Sequence, residues 1–261
     1  MLQQAATDAE ADLRSVFPSF GASVRDAQLR QAIAALHDTL GYFWTRVGDT
    51  VSAREAEAAE AAIAQSFSWD DRIMRRAYPD KAVREHALKS ISQTAAFNVE
   101  AAIARVYKSH IPLSRQVYKT RALANGWVDT RVGSALARGL TVKELADEVR
   151  QFILPNTPGG VSYAARRLGR TEINNAYHAV TIEHHIDKPW VNSMRWRLSG
   201  SHPKVDICDA YAAAGPYAPD EVPAKAHPQC LCVVYPDLPS VEEFMERLNR
   251  GEYREWINSH Y

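Results

Sequence analysis

The chain has 261 residues and carries 31 Lys plus Arg against 31 Asp plus Glu, so its formal net charge is zero. An apolar fraction of 46% with a charged fraction of 24% excludes wholesale disorder, and the charge balance excludes a protein that coats nucleic acid by bulk charge alone. The length fits one large domain or two small ones.

No apolar run approaches the ~18–20 residues that a membrane helix needs. The N-terminal stretch MLQQAATDAEADLRSVF lacks a basic segment followed by an apolar core, so it does not read as a secretory signal. The expectation is a protein folded in a cytoplasm, with no membrane partner.

The first part of the chain reads as helix. Leu29, Ile33, Leu36, Leu40, Phe43 and Val47 recur at spacings of three and four, which puts them on one face. Gly48 reads as an interruption. Ser52 with Glu55 reads as a capping box opening an alanine-rich helix through Ala56, Ala59, Ile63 and Phe67. A third helix is expected over 81–109, with a stripe of Val83, Ala87, Ile91, Ala95, Val99, Ile103 and Val106, and Pro112 ends or kinks it. These stripes fit core packing between antiparallel helices, and one face is also a candidate surface for docking to another subunit. A boundary at residue 112 therefore separates a helical N-terminal docking region, 1–112, from the remainder, 113–261.

Short helices are expected over 115–124 and 129–138, around Gly126 and Gly139. Thr141 and Glu144 form a second capping box before Val142, Leu145, Ala146, Val149 and Ile153. Pro155, Pro158, Gly159 and Gly160 make a loop. A long helix follows over 163–187 and carries Arg166, Arg167, Arg170, Thr171 and Glu172. From Pro189 the pattern changes. A strand is expected over 191–198 around Trp196, and a second over 230–235. Ser240 with Glu243 opens a terminal helix, with Tyr253, Trp256 and Ile257 in a last turn. The fold class is α+β, predominantly helical, with a small α+β domain at the C-terminal end.

All three cysteines, Cys208, Cys230 and Cys232, lie in one C-terminal window together with His227. Three sulfurs and one imidazole make a closed tetrahedral ligand set of the structural zinc type. Residues i and i+2 of a strand face the same side, so Cys230 and Cys232 can share one ion. His202 is an alternative ligand, and Asp206 and Asp209 are spare carboxylates. Reduced, semi-buried cysteines or a single disulfide are the competing readings. The window has few apolar residues, so a metal staple is physically useful there. A catalytic zinc needs an open position and a base; Asp220 and Glu221 are available, yet nothing in the pattern fixes them nearby.

The second cluster is Arg166, Arg167 and Arg170. Arg166 and Arg170 lie one turn apart and share a face with Asn174. The cluster is a candidate DNA-facing patch. The structural alternative is that Arg170 and Glu172 hold the helix to the strand region through buried pairs. His184 and His185 are adjacent and so point to different faces, which disfavours a shared metal. Arg195 followed by Ser199-Gly200-Ser201 has the outline of an ADP-ribosyltransferase, but the Glu-x-Glu of that arrangement is missing; Glu242 and Glu243 are adjacent.

Four blocks together resemble the minor head proteins of tailed bacteriophages, the phage Mu F-like head-morphogenesis family. The glycine-led helix start Gly139-Leu-Thr-Val-Lys-Glu-Leu-Ala146 is the first, and Arg170-Thr171-Glu172 is the second. The third is Trp196 in its strand. The fourth is the tail, with Asp206-Ile-Cys-Asp209, Gly215-Pro-Tyr217 and His227-Pro-Gln-Cys-Leu-Cys232. The blocks span about residues 115–236. The family usually has Cys-Arg-Cys, and Leu231 stands here in place of the arginine. The resemblance implies a non-enzymatic minor capsid protein packaged in few copies inside the head near the portal vertex, after assembly in the host cytoplasm. Its partners would be the portal protein and other head proteins, with packaged DNA a further contact, and its role head assembly or genome packaging and ejection. The alternatives are a metal-dependent hydrolase or nuclease using the same cluster, and a phage-delivered ADP-ribosyltransferase-like effector.

Overall fold

The computed structural model describes residues 1–16, 26–77, 80–82, 84–85, 99–106, 113–155 and 158–260. The protein is predominantly helical with one small sheet. In chain order the elements are α1 (Leu2–Val16), α2 (Asp26–Ala77), α3 (Val99–Val106), α4 (Leu113–Ala137), α5 (Val142–Ile153), α6 (Val161–Ile186), β1 (Ser193–Arg197), α7 (Ile207–Ala214), a 3-10 turn (Pro219–Glu221), β2 (Val233–Asp237), α8 (Val241–Asn249) and α9 (Arg254–His260). Among the described residues no helix is long and apolar enough to cross a membrane.

The chain forms two compact units, and both are discontinuous. One comprises Met1–Ala53 with Ile111–Arg170, the other Arg54–His110 with Thr171–Tyr261. Of the three cuts between them, the one before Ile111 lies beside a division at residue 112. The other two fall within α2 and α6, which each give their first part to the first unit and the rest to the second.

In the first unit, Leu36, Leu40, Phe43, Trp44 and Val47 of α2 meet Leu13 of α1, Val128 and Val132 of α4, Leu145 and Val149 of α5, and Leu168 of α6. This is the stripe expected from the three-and-four spacing. Gly48 does not interrupt the helix. A Cβ there would lie 3.3 Å from Val117 Cγ2, and one at Gly41 would lie 2.7 Å from the Arg121 guanidinium. Gly48 lets α4 approach α2 closely, which offsets the roughly 1 kcal/mol that a helical glycine costs, whereas at Gly41 the neighbour is the movable end of a long side chain. Since the helix runs on, the Ser52–Glu55 box opens nothing. Gly126 likewise lies inside the single helix α4. The Thr141–Glu144 capping box is present in both directions, and Trp127 stacks on Phe152 at 3.5 Å between ring centroids.

Of the helix expected over 81–109, residues 81–82 and 84–85 and the span Val99–Val106 are helical. Val83, Ala87, Ile91, Ala95 and Pro112 lie outside the described residues.

In the second unit, β1 and β2 pair antiparallel, from Ser193 with Asp237 to Arg197 with Val233. Met194, Trp196, Val234 and Pro236 are buried, whereas Arg195, Arg197, Val233 and Tyr235 face solvent. The alternation is that of a half-buried sheet. Trp190, Met194, Trp196, Val234, Phe244 and Tyr253 make the apolar core around it, and Cys208, Cys230 and Cys232 belong to that core.

Candidate metal centre

Cys208 is positioned by α7. Asp206 is the N-cap of that helix: its carboxylate accepts from the Cys208 N–H at 2.7 Å, and the Asp209 carboxylate accepts from the Asp206 N–H at 2.8 Å. This reciprocal box satisfies donors that a helix start leaves open. It also holds both carboxyls below their ordinary range, chiefly through those backbone N–H groups. The Cys208 sulfur therefore sits in the first helical turn, where the helix dipole favours negative charge.

Cys230 and Cys232 arrive from a turn. The Cys230 N–H donates to the His227 carbonyl at 3.2 Å, closing His227-Pro-Gln-Cys230. Gln229 has φ of 62°, a left-handed conformation that a residue with a Cβ adopts only at a cost. Its N–H is held by Thr171 Oγ1 at 3.1 Å. Thr171 in α6 thus fastens the turn that presents two of the cysteines. The two cysteines precede β2 rather than lying in it, since the strand begins at Val233. They nevertheless point the same way, because the extended chain already alternates: Cys230 and Cys232 are buried and Leu231 is exposed.

The three sulfurs converge. Each lies within 4.8 Å of the other two, and all three residues are buried and free of disulfides. Cys208 Sγ is 3.5 Å from Cys230 Sγ and 3.5 Å from His227 Nε2. The sulfur spacing is far beyond a disulfide bond of about 2.05 Å. It is close to the edge of a tetrahedron with metal–sulfur bonds of about 2.3 Å, which is about 3.8 Å. A neutral thiol set would gain little by this convergence. Burial, followed by the neighbouring Cys230 and Cys232, pushes the Cys208 thiol up, because three thiolates cannot share a buried site without a cation. The donor set thus fits a thiophilic metal ion.

His227 is placed beside Cys208 and Asp206. Its Nδ1 lies 3.0 Å from the Pro228 carbonyl, and a proton donated there leaves the Nε2 lone pair toward the Cys208 sulfur. Nε2 is also 3.2 Å from an Asp206 oxygen. His202 is not brought to the thiols; its Nε2 lies 2.9 Å from Asp209, and it groups with Asp206 and Asp209 instead. Around the sulfurs, the Ser199 N–H points at Cys232 Sγ at 3.5 Å, and the Lys225 ammonium donates to the Cys232 carbonyl. Trp196 walls the site from the buried face of the sheet, with its ring 5.1 Å from Tyr211 and 5.4 Å from His178. Asp220 and Glu221 lie exposed in the 3-10 turn.

Arg166, Arg167 and Arg170 are exposed along α6 in the first unit. Glu172 is buried, and burial raises its carboxyl to about 7. Arg170 itself faces solvent, whereas Glu172 is buried. Between them, Thr171 ties α6 to the later segment through its hydrogen bond with Gln229. Arg195 is engaged with Asp237 at 2.9 Å.

A second polar constellation escaped the sequence reading. In the second unit, Asp70 of α2 accepts from the Lys188 ammonium and lies 3.0 Å from His184 Nε2, all three buried. Burial raises the Asp70 carboxyl, but the His184 hydrogen bond and the Lys188 charge outweigh it and hold it below its ordinary range. His185 turns the other way, with Nδ1 2.6 Å from the Thr181 carbonyl. The i, i+4 spacing of His184 and Lys188 was visible; the carboxylate more than a hundred residues away was not. The Asp206–Asp209 box was also visible, as an acid pair three apart before an apolar residue.

Searches for matching protein families, curated relatives and solved structures found no match.

Proposed function

We propose that the protein is a non-enzymatic minor head protein of a tailed bacteriophage, associated with the portal inside the head, and that Cys208, His227, Cys230 and Cys232 hold a structural zinc ion. The observation that carries this reading is the link between two of the sequence blocks on which the resemblance rests. Thr171 of Arg170-Thr171-Glu172 bonds to Gln229 of the His227–Cys232 tail, directly beside three buried, converging thiols. These blocks are far apart in sequence and form one physical unit.

The zinc would be structural. Three buried thiols and the His227 imidazole fill four positions, so no open position remains for water or substrate. What the ion supplies is a cross-link among α7, the turn at 227–230 and the chain entering β2. Those elements are small: two strands of five residues and a helix of eight. Elements of that size gain from a staple, and ligand binding energy becomes folding energy. Exposed Arg166, Arg167 and Arg170 suit a modest contact with packaged DNA, while the neutral chain as a whole suits protein partners. The portal protein and other head proteins are those partners in this reading.

Two measurements test it. Purified protein should hold zinc near one equivalent, and Cys230→Ser should lose it; absence of metal from both would reject the staple. Purified particles of the source phage should contain the chain in few copies. Its absence from particles, with zinc present in the isolated protein, would reject the head assignment while leaving the metal site standing.

A further inference from the structure

Three thiolates and a neutral imidazole leave a divalent ion with excess negative charge. The ion brings +2 and Cys208, Cys230 and Cys232 bring −3, so the complex carries −1. The surroundings make that excess costly. All three cysteines belong to the apolar core of the second unit, together with Trp196 and Val234, and an unbalanced charge in such a setting is strongly disfavoured. The Asp206 carboxylate, 3.2 Å from His227 Nε2, adds to the negative charge and does not cancel it.

Lys225 places a cation at this point. It is half-buried, in the segment between the buried Val222 and His227. Its ammonium donates to the Cys232 carbonyl and lies over the Trp196 ring, 5.9 Å from the centroid. The carbonyl fixes the ammonium, and the ring face attracts it. From there its charge acts on Cys230, Cys232 and Cys208. The Cys232 sulfur also faces the Ser199 N–H at 3.5 Å, so two donors from outside the ligand set converge on one ligand residue.

We propose that Lys225 is the counter-charge of the metal centre: its ammonium offsets the excess thiolate charge and so sets how tightly the site holds a thiophilic divalent ion. The proposal rests on the zinc reading above and extends it to a residue outside the ligand set. Lys225 is a positioning residue, since it touches the main chain of a ligand and not the ion. Its competing role is purely structural, as a tether between its own segment and the Cys232 carbonyl. The two roles differ in what can replace the lysine. A tether needs a hydrogen-bond donor of similar reach, charged or neutral. A counter-charge needs another cation.

The test uses the full chain, with zinc and then cobalt(II) as probes. Zinc affinity is read by competition with a chromophoric chelator at fixed pH and ionic strength. Lys225→Gln keeps a donor and removes the charge, and should weaken zinc binding by about tenfold to a hundredfold, as loss of a group supporting metal ligands does. Lys225→Met, the second neutral variant, should show the same loss. Lys225→Arg keeps the charge and should bind zinc close to the parental affinity. In the cobalt-loaded proteins the sulfur-to-metal charge-transfer band reports the charge beside the sulfurs. A nearby cation holds the sulfur electrons more tightly, so the band should move to longer wavelength in both neutral variants and stay in place in Lys225→Arg. Parental zinc affinity in the neutral variants, an affinity in Lys225→Arg as low as theirs, or a band that does not move would each overturn the counter-charge and leave the zinc site standing. Absence of zinc from the parent would reject the metal centre and the counter-charge together.

Discussion

Acidification below about pH 6.5 should destabilise this protein, because buried histidines must charge. His178 is buried with its Nε2 3.0 Å from the Pro223 carbonyl, and His185 is buried with Nδ1 on the Thr181 carbonyl. Burial lowers each imidazole to about 3. The unfolded chain protonates these rings near 6.5 and the folded chain does not. Below about 6.5 the unfolded state therefore binds more protons, and each ring costs up to about 1.4 kcal/mol of stability per pH unit until its folded value is reached. His184, also lowered by burial, adds in the same direction. Glu172 acts oppositely. Raised by burial to about 7, it is protonated in the fold while still ionised in the unfolded chain between about 4.5 and 7, so acidification across that window favours folding. It cancels roughly one histidine. The net loss between pH 6.5 and 5 is about 2 kcal/mol, a large share of a typical domain's stability. Urea unfolding followed by circular dichroism at a series of pH values measures it. His185→Gln should flatten the slope below 6.5, and Glu172→Gln should steepen it. A stability that stays level from pH 7 to 5 in the parent would refute the reasoning.

Asp70→Ala leaves the Lys188 and His184 side chains buried without their carboxylate, and should cost about 3–5 kcal/mol; Asp70→Ala with Lys188→Met should recover much of that in the same urea experiment. Thr171→Ala removes the acceptor of the Gln229 N–H and should cost about 1 kcal/mol and weaken metal retention against a chelator. Gln229→Gly, relieving the left-handed conformation, should stabilise by up to about 1 kcal/mol, read as a higher urea midpoint. Leu231→Arg places a charge on an exposed side chain between the two cysteines and should leave the zinc content at its parental value by metal analysis.

The helical periods were legible where a stripe faces one core. Leu36, Leu40 and Phe43 repeat on a single face, and that face is buried. Glycine was misleading in α2 because its two uses, breaking a helix and permitting close approach, look alike in sequence; only the position of Val117 against Gly48 distinguishes them. Gly126 in α4 has open space around it, and the helix simply runs through it. The helix interval 81–109 rested on periodicity alone. At the candidate site, cysteine clustering pointed to the three thiols, because few other residues are so sparse in a chain of this length. The Thr171–Gln229 bond and the Lys225 and Ser199 contacts were not legible. They join positions whose spacing carries no periodic signal, and each uses a main-chain group that every residue possesses. Two of the cuts between units fall inside continuous helices, where helical periodicity runs on across the boundary and gives no signal of it.

Leu231 bears on a different surface from the three thiols. In the extended segment leading to β2, Cys230 and Cys232 are buried while the residue between them is 45% exposed. Alternation aims a side chain at position 231 away from the thiols. An arginine at this position would project to solvent and leave the three thiols as they are, so the side chain at 231 sets what the outside of this segment presents. Leu231 and Val233 follow the same parity and are both exposed, which gives this surface an apolar character. The thiol cluster and the exposed surface are thus separated by a single residue of backbone alternation. The proposed staple would depend on Cys208, His227, Cys230, Cys232 and the Thr171 clamp, and a change of side chain at position 231 would leave all five in place.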